Sequence, residues 1–288
     1  MSSIDSKLFR FSNGVLRLEK ADRKAGEPLE LCFFPTSELQ STRAKAQLGD
    51  GQAMKVFASE FDPSLLDHTS SVAVPTQALD TITGRLSDGD RKDLLALLGR
   101  CFFSKSEVDT WNVVPHLVGP GPGKSVITQM LAGFFPADRT ATIDSSVDDF
   151  GLGGCLATQP LVLFAHDMGD ATESVVRALK SSDPASYAIK HGNPIEAVAP
   201  HGVIVGTTGA SLDDGVIDVT FKPLVEKVVD DTLLQDIIAE SGAVLVKLGR
   251  AYAEALTESI ASSGQGCARE FVRHGVPACE AAPVAVAV

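Results

Sequence analysis

A glycine-rich segment between two apolar runs is the strongest constraint on the fold of this 288-residue chain. The first run, 113–118, reads VVPHLV, and the segment that follows it, 119–125, reads GPGPGKS. Apolar residues then recur at helical spacing, at Val126, Ile127, Met130, Leu131 and Phe134. A buried strand, a glycine-rich loop ending in Lys-Ser and a helix together form the arrangement with which many proteins hold nucleotide phosphates.

The residue types in this loop match that chemistry. Backbone N–H groups and the helix N-terminus face the phosphates, the lysine reaches the terminal oxygens, and the hydroxyl binds Mg²⁺. The sequence therefore predicts a site for ATP and Mg²⁺, with Lys124 also acting in catalysis and Ser125 also ligating the metal. The predicted nucleotide-binding residues are Gly119, Gly121, Gly123, Lys124 and Ser125.

The loop departs from the usual pattern in two ways. Only three residues separate Gly119 from Gly123, where four usually stand before the Gly-Lys pair. Either one residue is missing, or Val118 takes the place of the first glycine. Pro120 and Pro122 have no N–H to donate, which makes the phosphate cradle poorer. The alternative interpretation is a Gly/Pro turn that merely precedes a lysine.

Two later apolar runs also end in polar residues. The run 160–165, PLVLFA, is followed by His166 and Asp167, and the run 202–206, GVIVG, is followed by Thr207. Ligands in open α/β sheets gather at the carboxyl ends of the strands. We therefore expect Asp167 to ligate Mg²⁺ and activate water, the alternative being an N-cap for a helix beginning near residue 169. Thr207 is a candidate sensor of the γ-phosphate, and equally a β-branched strand end.

A basic tip lies between these two strands. The segment 186–194, SYAIKHGNP, alternates around Tyr187 and then reaches Lys190 and His191 before a Gly-Asn-Pro turn. A basic tip with one aromatic residue suits contact with a phosphodiester backbone, so Lys190 and His191 are candidate nucleic-acid contacts. A solvated turn is the alternative.

The order of the apolar runs predicts an α/β fold. From residue 113 onward strands, loops and helices alternate, which is typical of a mainly parallel sheet covered by helices; a turn is expected at 150–153, FGLG. We expect an N-terminal α+β region at 1–105, with a hairpin around Asn13-Gly14, and a P-loop NTPase core at 106–223. C-terminal helices are expected at 224–265 and a flexible tail at 266–288.

Charge and composition narrow the class of protein. The net charge of −12 makes the molecule as a whole a poor nucleic-acid binder, although a local basic groove remains compatible with it. The five cysteines are scattered, which argues against zinc and disulfides and fits a reducing compartment. The N-terminus does not read as a signal peptide, and no apolar run approaches the roughly 20 residues that cross a bilayer. We therefore expect a soluble protein of the cytoplasm or nucleus with no membrane partner.

Together these segments resemble the helicase region of superfamily-three, poxvirus-type primase-helicases over roughly residues 7–260. Besides the Gly-Lys-Ser loop, the resemblance rests on the segments 11–16, 97–103, 109–111, 150–152 before 161–163, and 251–253. It implies an AAA-type ATPase that forms a homo-oligomeric ring, such as a hexamer, and translocates on single-stranded DNA during replication. It places Lys190 and His191 in the pore, Lys124 and Ser125 on ATP and Mg²⁺, and Asp167 as the acid of the second strand.

Besides the altered phosphate loop, two further departures from that family leave other interpretations open. Relatives usually carry Asn where this chain has Thr207, followed by arginines that reach a neighbouring subunit, but residues 205–221 contain no Arg, and Asp213 and Asp214 stand there instead. Losing such an arginine removes charge stabilisation worth roughly a thousandfold in rate. The alternatives are a degenerate, non-hydrolysing nucleotide-binding or structural interaction module, and a small-molecule kinase with the same phosphate loop.

Overall fold

A four-stranded sheet opens the chain in the computed structural model, which describes residues 4–19, 27–49, 51–144, 146, 149–167, 173–206, 215–223, 232–263 and 271–274. Strands β1 (Ile4–Phe11) and β2 (Gly14–Arg17) form the predicted antiparallel hairpin. Strand β3 (Cys32–Pro35) pairs with β2, and β4 (Gln52–Val56) runs parallel to β1, which gives the order β3-β2-β1-β4. Helix α1 (Thr42–Leu48) lies between β3 and β4 in the chain.

Two helices complete the N-terminal region. Helix α2 (Gln77–Thr83) and helix α3 (Asp88–Arg100) follow β4 in the chain. The Ser87 side chain caps α3 by accepting a hydrogen bond from the Asp90 N–H, which satisfies one of the free donors of its first turn. The leucines at 94, 95, 97 and 98 are all buried.

The central sheet has five parallel strands in the order β11-β5-β10-β7-β6. This confirms the α/β fold with a P-loop NTPase-like sheet flanked by helices. Its elements in chain order are β5 (Val114–Val118), α4 (Lys124–Gly133), β6 (Thr140–Asp144), α5 (Asp149–Ala157), β7 (Val162–His166), α6 (Glu173–Lys180), the small hairpin β8 (Ala185–Tyr187) and β9 (Ile195–Ala197), β10 (His201–Val205) and β11 (Val216–Thr220).

Pro115 interrupts the ladder of hydrogen bonds between β5 and its neighbour β10. The Val114 N–H donates to the Gly215 carbonyl beside β11, so the neighbouring position 115 faces β10, where proline offers no N–H. The β5–β10 pairing accordingly covers only His116 and Leu117, whereas β5 pairs with β11 over all five residues.

Both faces of the sheet are buried, as parallel strands require. On one face Leu117, Phe164 and Val203 belong to the large core that also includes residues of α3 and α4. On the other face Leu163 and Ile204 pack with residues of α5 and α6. The inner strands β5, β7 and β10 therefore have buried residues on both faces, which explains their apolar runs in the sequence, whereas the edge strand β6 exposes Thr142 and Asp144.

The segment 150–153 is helical, so the predicted turn there is wrong. It belongs to α5, and Gly153 is needed for close packing rather than for a turn, because a Cβ at that position would overlap the Ala188 carbonyl oxygen of the β8–β9 hairpin. Glycine in a helix lowers its propensity, and here the tertiary contact outweighs that cost.

The C-terminal helical segment is present as two helices. Helix α7 (Leu233–Ala239) precedes the long helix α8 (Ser241–Ser263), which packs along α3. Residues 271–274 belong to the segment that was expected to be a tail. Phe271 packs against the large core, and His274 contacts Asp93 of α3 and Glu258 of α8. Of the helices that the structure describes, none combines the length and apolar character needed to cross a bilayer.

Candidate functional site

The glycine-rich loop leaves the carboxyl end of β5 and enters α4 directly. Gly119 has a φ of 97° and Gly123 a φ of 116°, values that side chains with a Cβ rarely adopt. Gly123 is the N-cap of α4 and provides no side-chain cap, so the N–H groups of the first helical turn have no acceptor within the helix. The sequence thus predicted the strand, the loop and the start of the helix to within one residue.

Lys124 folds back over the loop that precedes it. Its Nζ donates to the Gly119 carbonyl oxygen and, at 3.2 Å, to the Gly121 carbonyl oxygen. Burial lowers the pKa of Lys124 below its ordinary value. The ammonium group therefore stands at the mouth of the loop, held by two carbonyl oxygens that a phosphate would have to replace as its partners.

Phe221, just after β11, supports the loop from behind. Its N–H donates to the Val118 carbonyl at 2.9 Å, and its carbonyl accepts from the Gly121 N–H at 3.3 Å. Gly123 packs against the Phe221 ring and against Ile82 of α2. With Pro120 and Pro122 lacking N–H groups and the Gly121 N–H engaged, the donors best placed for an anion are those at the start of α4.

Asp167 lies at the same edge of the sheet as the loop. It follows β7 directly, its N–H donates to the Val205 carbonyl at 2.9 Å, and its side chain is exposed. Strand β10 separates β7 from β5, so the two strand ends are roughly 10 Å apart. The alternative role, an N-cap for a helix beginning near residue 169, concerns residues 168–172, which lie outside the described residues.

The predicted magnesium ligands Ser125 and Asp167 are both exposed at this edge. Within the described part of the chain, no group of three or more His, Cys, Asp or Glu side chains is arranged to hold a metal. Thr207, the predicted sensor, lies outside the described residues, as do Asp213 and Asp214. Gly206, the residue before Thr207, is held beside β5, since its N–H donates to the Leu117 carbonyl at 3.0 Å.

Lys190 and His191 lie at the exposed tip of the β8–β9 hairpin. His191 has a φ of 60°, and the Gly192 N–H closes the turn on the Ile189 carbonyl at 3.1 Å. The hairpin packs on α5, and its Tyr187 and Ile195 join the smaller core on the face of the sheet opposite to α4. The structure therefore brings the loop and Asp167 to one edge and keeps the basic tip as a separate surface.

Sequence reasoning missed a pair formed by a buried histidine and a partly exposed aspartate between two strands of the central sheet. His116 on β5 is 3% exposed, and its Nδ1 lies 2.8 Å from Oδ1 of Asp218 on β11, directly opposite in the register. The pair ties together the two strands whose ends form and support the loop. A signal was available, because each residue is a polar position flanked on both sides by apolar residues of its strand.

Solved structures provide the only similarities found by comparison with known proteins. No protein-family model matches the chain, and comparison with curated proteins gives no significant match. Two apo structures of the NrS-1 C-terminal region match with TM-scores of 0.46 and 0.47 at 11% and 10% identity, over 85% and 90% of this chain and 65% and 72% of theirs. A JCV helicase structure with a bound acetamide compound matches with a TM-score of 0.37 at 16% identity, over 59% of this chain and 52% of its own.

Proposed function

We propose that this chain is an ATP-binding, helicase-type ATPase domain that acts on DNA during replication. The observation that carries the proposal is the glycine-rich loop at the end of a central parallel strand, with Lys124 folded over it and Asp167 at the same sheet edge. The triphosphate would lie over residues 119–125 at the N-terminus of α4, where the helix dipole favours negative charge.

Each residue has a distinct task in this proposal. Lys124 exchanges its two carbonyl partners for phosphate oxygens, and Ser125 ligates Mg²⁺. Asp167 binds the metal or its water from a position two strands away, which leaves room for the γ-phosphate and the attacking water between them. Phe221 and Ile82 hold the loop from the opposite side and exclude water there.

The contact with DNA is assigned to the basic tip at Lys190 and His191. Both side chains are exposed, so they can reach a phosphodiester backbone without rearrangement of the core. With a net charge of −12, binding would depend on this local surface and on assembly of several copies into a ring, a hexamer in the simplest case.

The test is binding of a labelled ATP analogue with Mg²⁺ to the wild type and to Lys124→Ala. Removing a charge-assisted contact to phosphate should cost about 1.5–3 kcal/mol, or roughly 10- to 100-fold in Kd. The matched control is Lys45→Ala, which removes an exposed lysine from α1 and should leave the Kd unchanged. Equal affinity of Lys124→Ala and the wild type would refute the site.

A non-hydrolysing module of the same fold is the second candidate, favoured by the hydrogen bonds of the loop. The Gly121 N–H is engaged by Phe221, Pro120 and Pro122 donate nothing, and Lys124 is satisfied by loop carbonyls. The sequence 205–221 also supplies no arginine for a neighbouring subunit.

Turnover with and without single-stranded DNA separates the two candidates. Phosphate release that is stimulated by DNA supports the motor. Saturable ATP binding with phosphate release at the level of buffer alone supports the module.

A further inference from the structure

A small cavity lies at the amino edge of the central sheet, opposite to the glycine-rich loop. It is bordered by residues that lead into β7 and β10, at 160–161 and 198–201, and by residues of the segment 101–105 just after α3. Its volume of about 220 Å³ has room for roughly seven water-sized groups. A strand of five residues spans about 16 Å, so a ligand here would not reach the phosphate loop. We call this space the amino-edge cavity.

The walls of the amino-edge cavity are mostly apolar. Five of the residues that line it present hydrocarbon surface, namely Phe103, Pro160, Leu161, Val198 and Pro200. Val198 is 41% exposed, which places it at the mouth. Apolar walls around a few polar groups are typical of sites for small organic molecules, and the size of this cavity restricts it to short ones.

His201 is a buried polar group without a protein partner in this cavity. It is 6% exposed, and among the residues that the structure describes, none forms a hydrogen bond with its imidazole. Burial lowers the pKa of His201 well below its ordinary value, and the positive charges of Arg100 and Lys105 act in the same direction. The ring is therefore neutral and offers one N–H donor. Because buried polar groups nearly always have a partner, this donor points to a ligand in the cavity.

Lys105 fixes a positive charge at the wall of the cavity. Its Nζ donates to the carbonyl oxygens of Ala178, Leu179 and Ser181 at 2.9, 2.7 and 2.7 Å, at the end of α6. Three acceptors match the three N–H groups of an ammonium ion, and they hold it away from open solvent. Burial lowers the pKa of Lys105 to about 7, since the carbonyl oxygens carry no net charge that would compensate it.

Nothing negative balances Lys105 within the cavity. The Cys101 thiol lines the wall, but burial raises its pKa to about 12, so it stays neutral and donates to the Leu97 carbonyl at 3.4 Å. Arg100 has its own counter-charge in Asp109 at 2.6 Å. No carboxylate is among the described residues that line the cavity. A bound anion would supply the missing charge, whereas a metal ion would be repelled by the lysine.

We propose that the amino-edge cavity binds a small monocarboxylic acid with an aliphatic tail. The carboxylate accepts a hydrogen bond from His201 and is attracted by the charge of Lys105, and the tail packs against Phe103 and Leu161. A neutral ligand would leave Lys105 without a counter-charge, and inorganic phosphate has no apolar part to bury. This site is separate from the proposed nucleotide site and does not depend on ATP binding.

The experiment titrates the full chain with 3-methylbutanoate, whose size matches the cavity, and follows the His201 ring signal, assigned in the wild type, by NMR. The signal should shift saturably with a Kd on the order of 1 mM. The uncharged amide of the same shape, 3-methylbutanamide, should bind at least about tenfold more weakly. Inorganic phosphate should leave the signal unchanged. No saturable shift, equal affinity for the acid and the amide, or a shift with phosphate would overturn the proposal.

Three variants locate the bound acid. Val198→Trp fills the mouth of the cavity and should weaken binding by about tenfold or more. Its matched control is Val72→Trp, which changes another exposed valine and should keep the wild-type Kd. Lys124→Ala should also keep it, because the phosphate loop lies at the other edge of the sheet. Wild-type affinity in Val198→Trp with native circular dichroism, or loss of binding in Lys124→Ala, would show that the acid binds elsewhere and would refute the site.

Discussion

At the scale of single residues, three short segments that the sequence analysis singled out, 97–103, 109–111 and 251–253, meet in a buried ion network. Arg100 donates to Asp109 from Nε at 2.9 Å and from Nη2 at 2.6 Å, and it also reaches the Trp111 carbonyl at 2.6 Å. Tyr252 of α8 donates to Asp109 Oδ2 at 2.5 Å. Burial raises the pKa of Tyr252 well above its ordinary value, so the hydroxyl stays a donor. These residues join α3, the segment between α3 and β5, and α8, and their role is structural.

Removing different members of this network should destabilise the protein to different degrees. Asp109→Asn leaves the Arg100 guanidinium buried without a counter-charge and should cost about 3–5 kcal/mol of unfolding free energy. Tyr252→Phe removes one hydrogen bond to a charged group and should cost about 1.5–3 kcal/mol. Urea unfolding measures both. A loss below 1 kcal/mol for Asp109→Asn, or a larger loss for Tyr252→Phe, would contradict this assignment.

The sequence indicated this network only as three separate short segments. Nothing in the spacing of Arg100, Asp109 and Tyr252 shows that they meet, since the last two are 143 positions apart. The same holds for His116 and Asp218, which come together only because β11 returns to the side of β5. Contacts set by the order of strands are invisible to local patterns.

At the scale of elements, the helices and strands predicted from the sequence were most accurate where apolar runs were long. Strands β5 and β7 and the start of helix α4 were predicted to within two residues, because buried parallel strands and amphipathic helices leave clear patterns. Helix α5 was missed, because its glycines look like a turn. The glycine at 153 exists for the β8–β9 hairpin, a contact that local propensity cannot reveal.

Two adjacent glycines of α5 should therefore respond oppositely to alanine. In Gly153→Ala the new methyl group would overlap the Ala188 carbonyl, so we expect a loss of about 1–3 kcal/mol and faster amide exchange in 185–197. In Gly154→Ala the methyl group meets nothing within 4 Å, and the helix should gain roughly 0.5–1 kcal/mol. Urea unfolding and hydrogen exchange test the pair, and equal effects would argue against packing of the hairpin on α5.

At the scale of the whole molecule, one core links the first three of the four regions into which the sequence was divided. Phe9 of β1, Leu94 of α3, Leu117 of β5 and Leu245 of α8 all belong to the same buried cluster. The phosphate loop depends on this core, since Ile82 of α2 packs on Gly123. The N-terminal region is therefore part of what shapes the candidate site, a dependence that the position of the loop in the sequence does not suggest.

A shared core predicts a single unfolding transition, even though chains of this length often unfold in steps. Fluorescence of Trp111, which lies beside α8, and far-ultraviolet circular dichroism of all helices should give the same midpoint in urea. Gly99→Ala would place a methyl group on the Leu248 carbonyl and force α3 away from α8. The free energy of unfolding should then fall by about 1–3 kcal/mol, and both urea midpoints should fall together. Gly133→Ala, at the end of α4 with nothing within 4 Å, should lower neither. Separate midpoints for the two signals, or a Gly99→Ala effect on fluorescence alone, would mean that the α3–α8 pair unfolds independently of the sheet. The N-terminal region, including α2, would then not be needed to shape the phosphate loop.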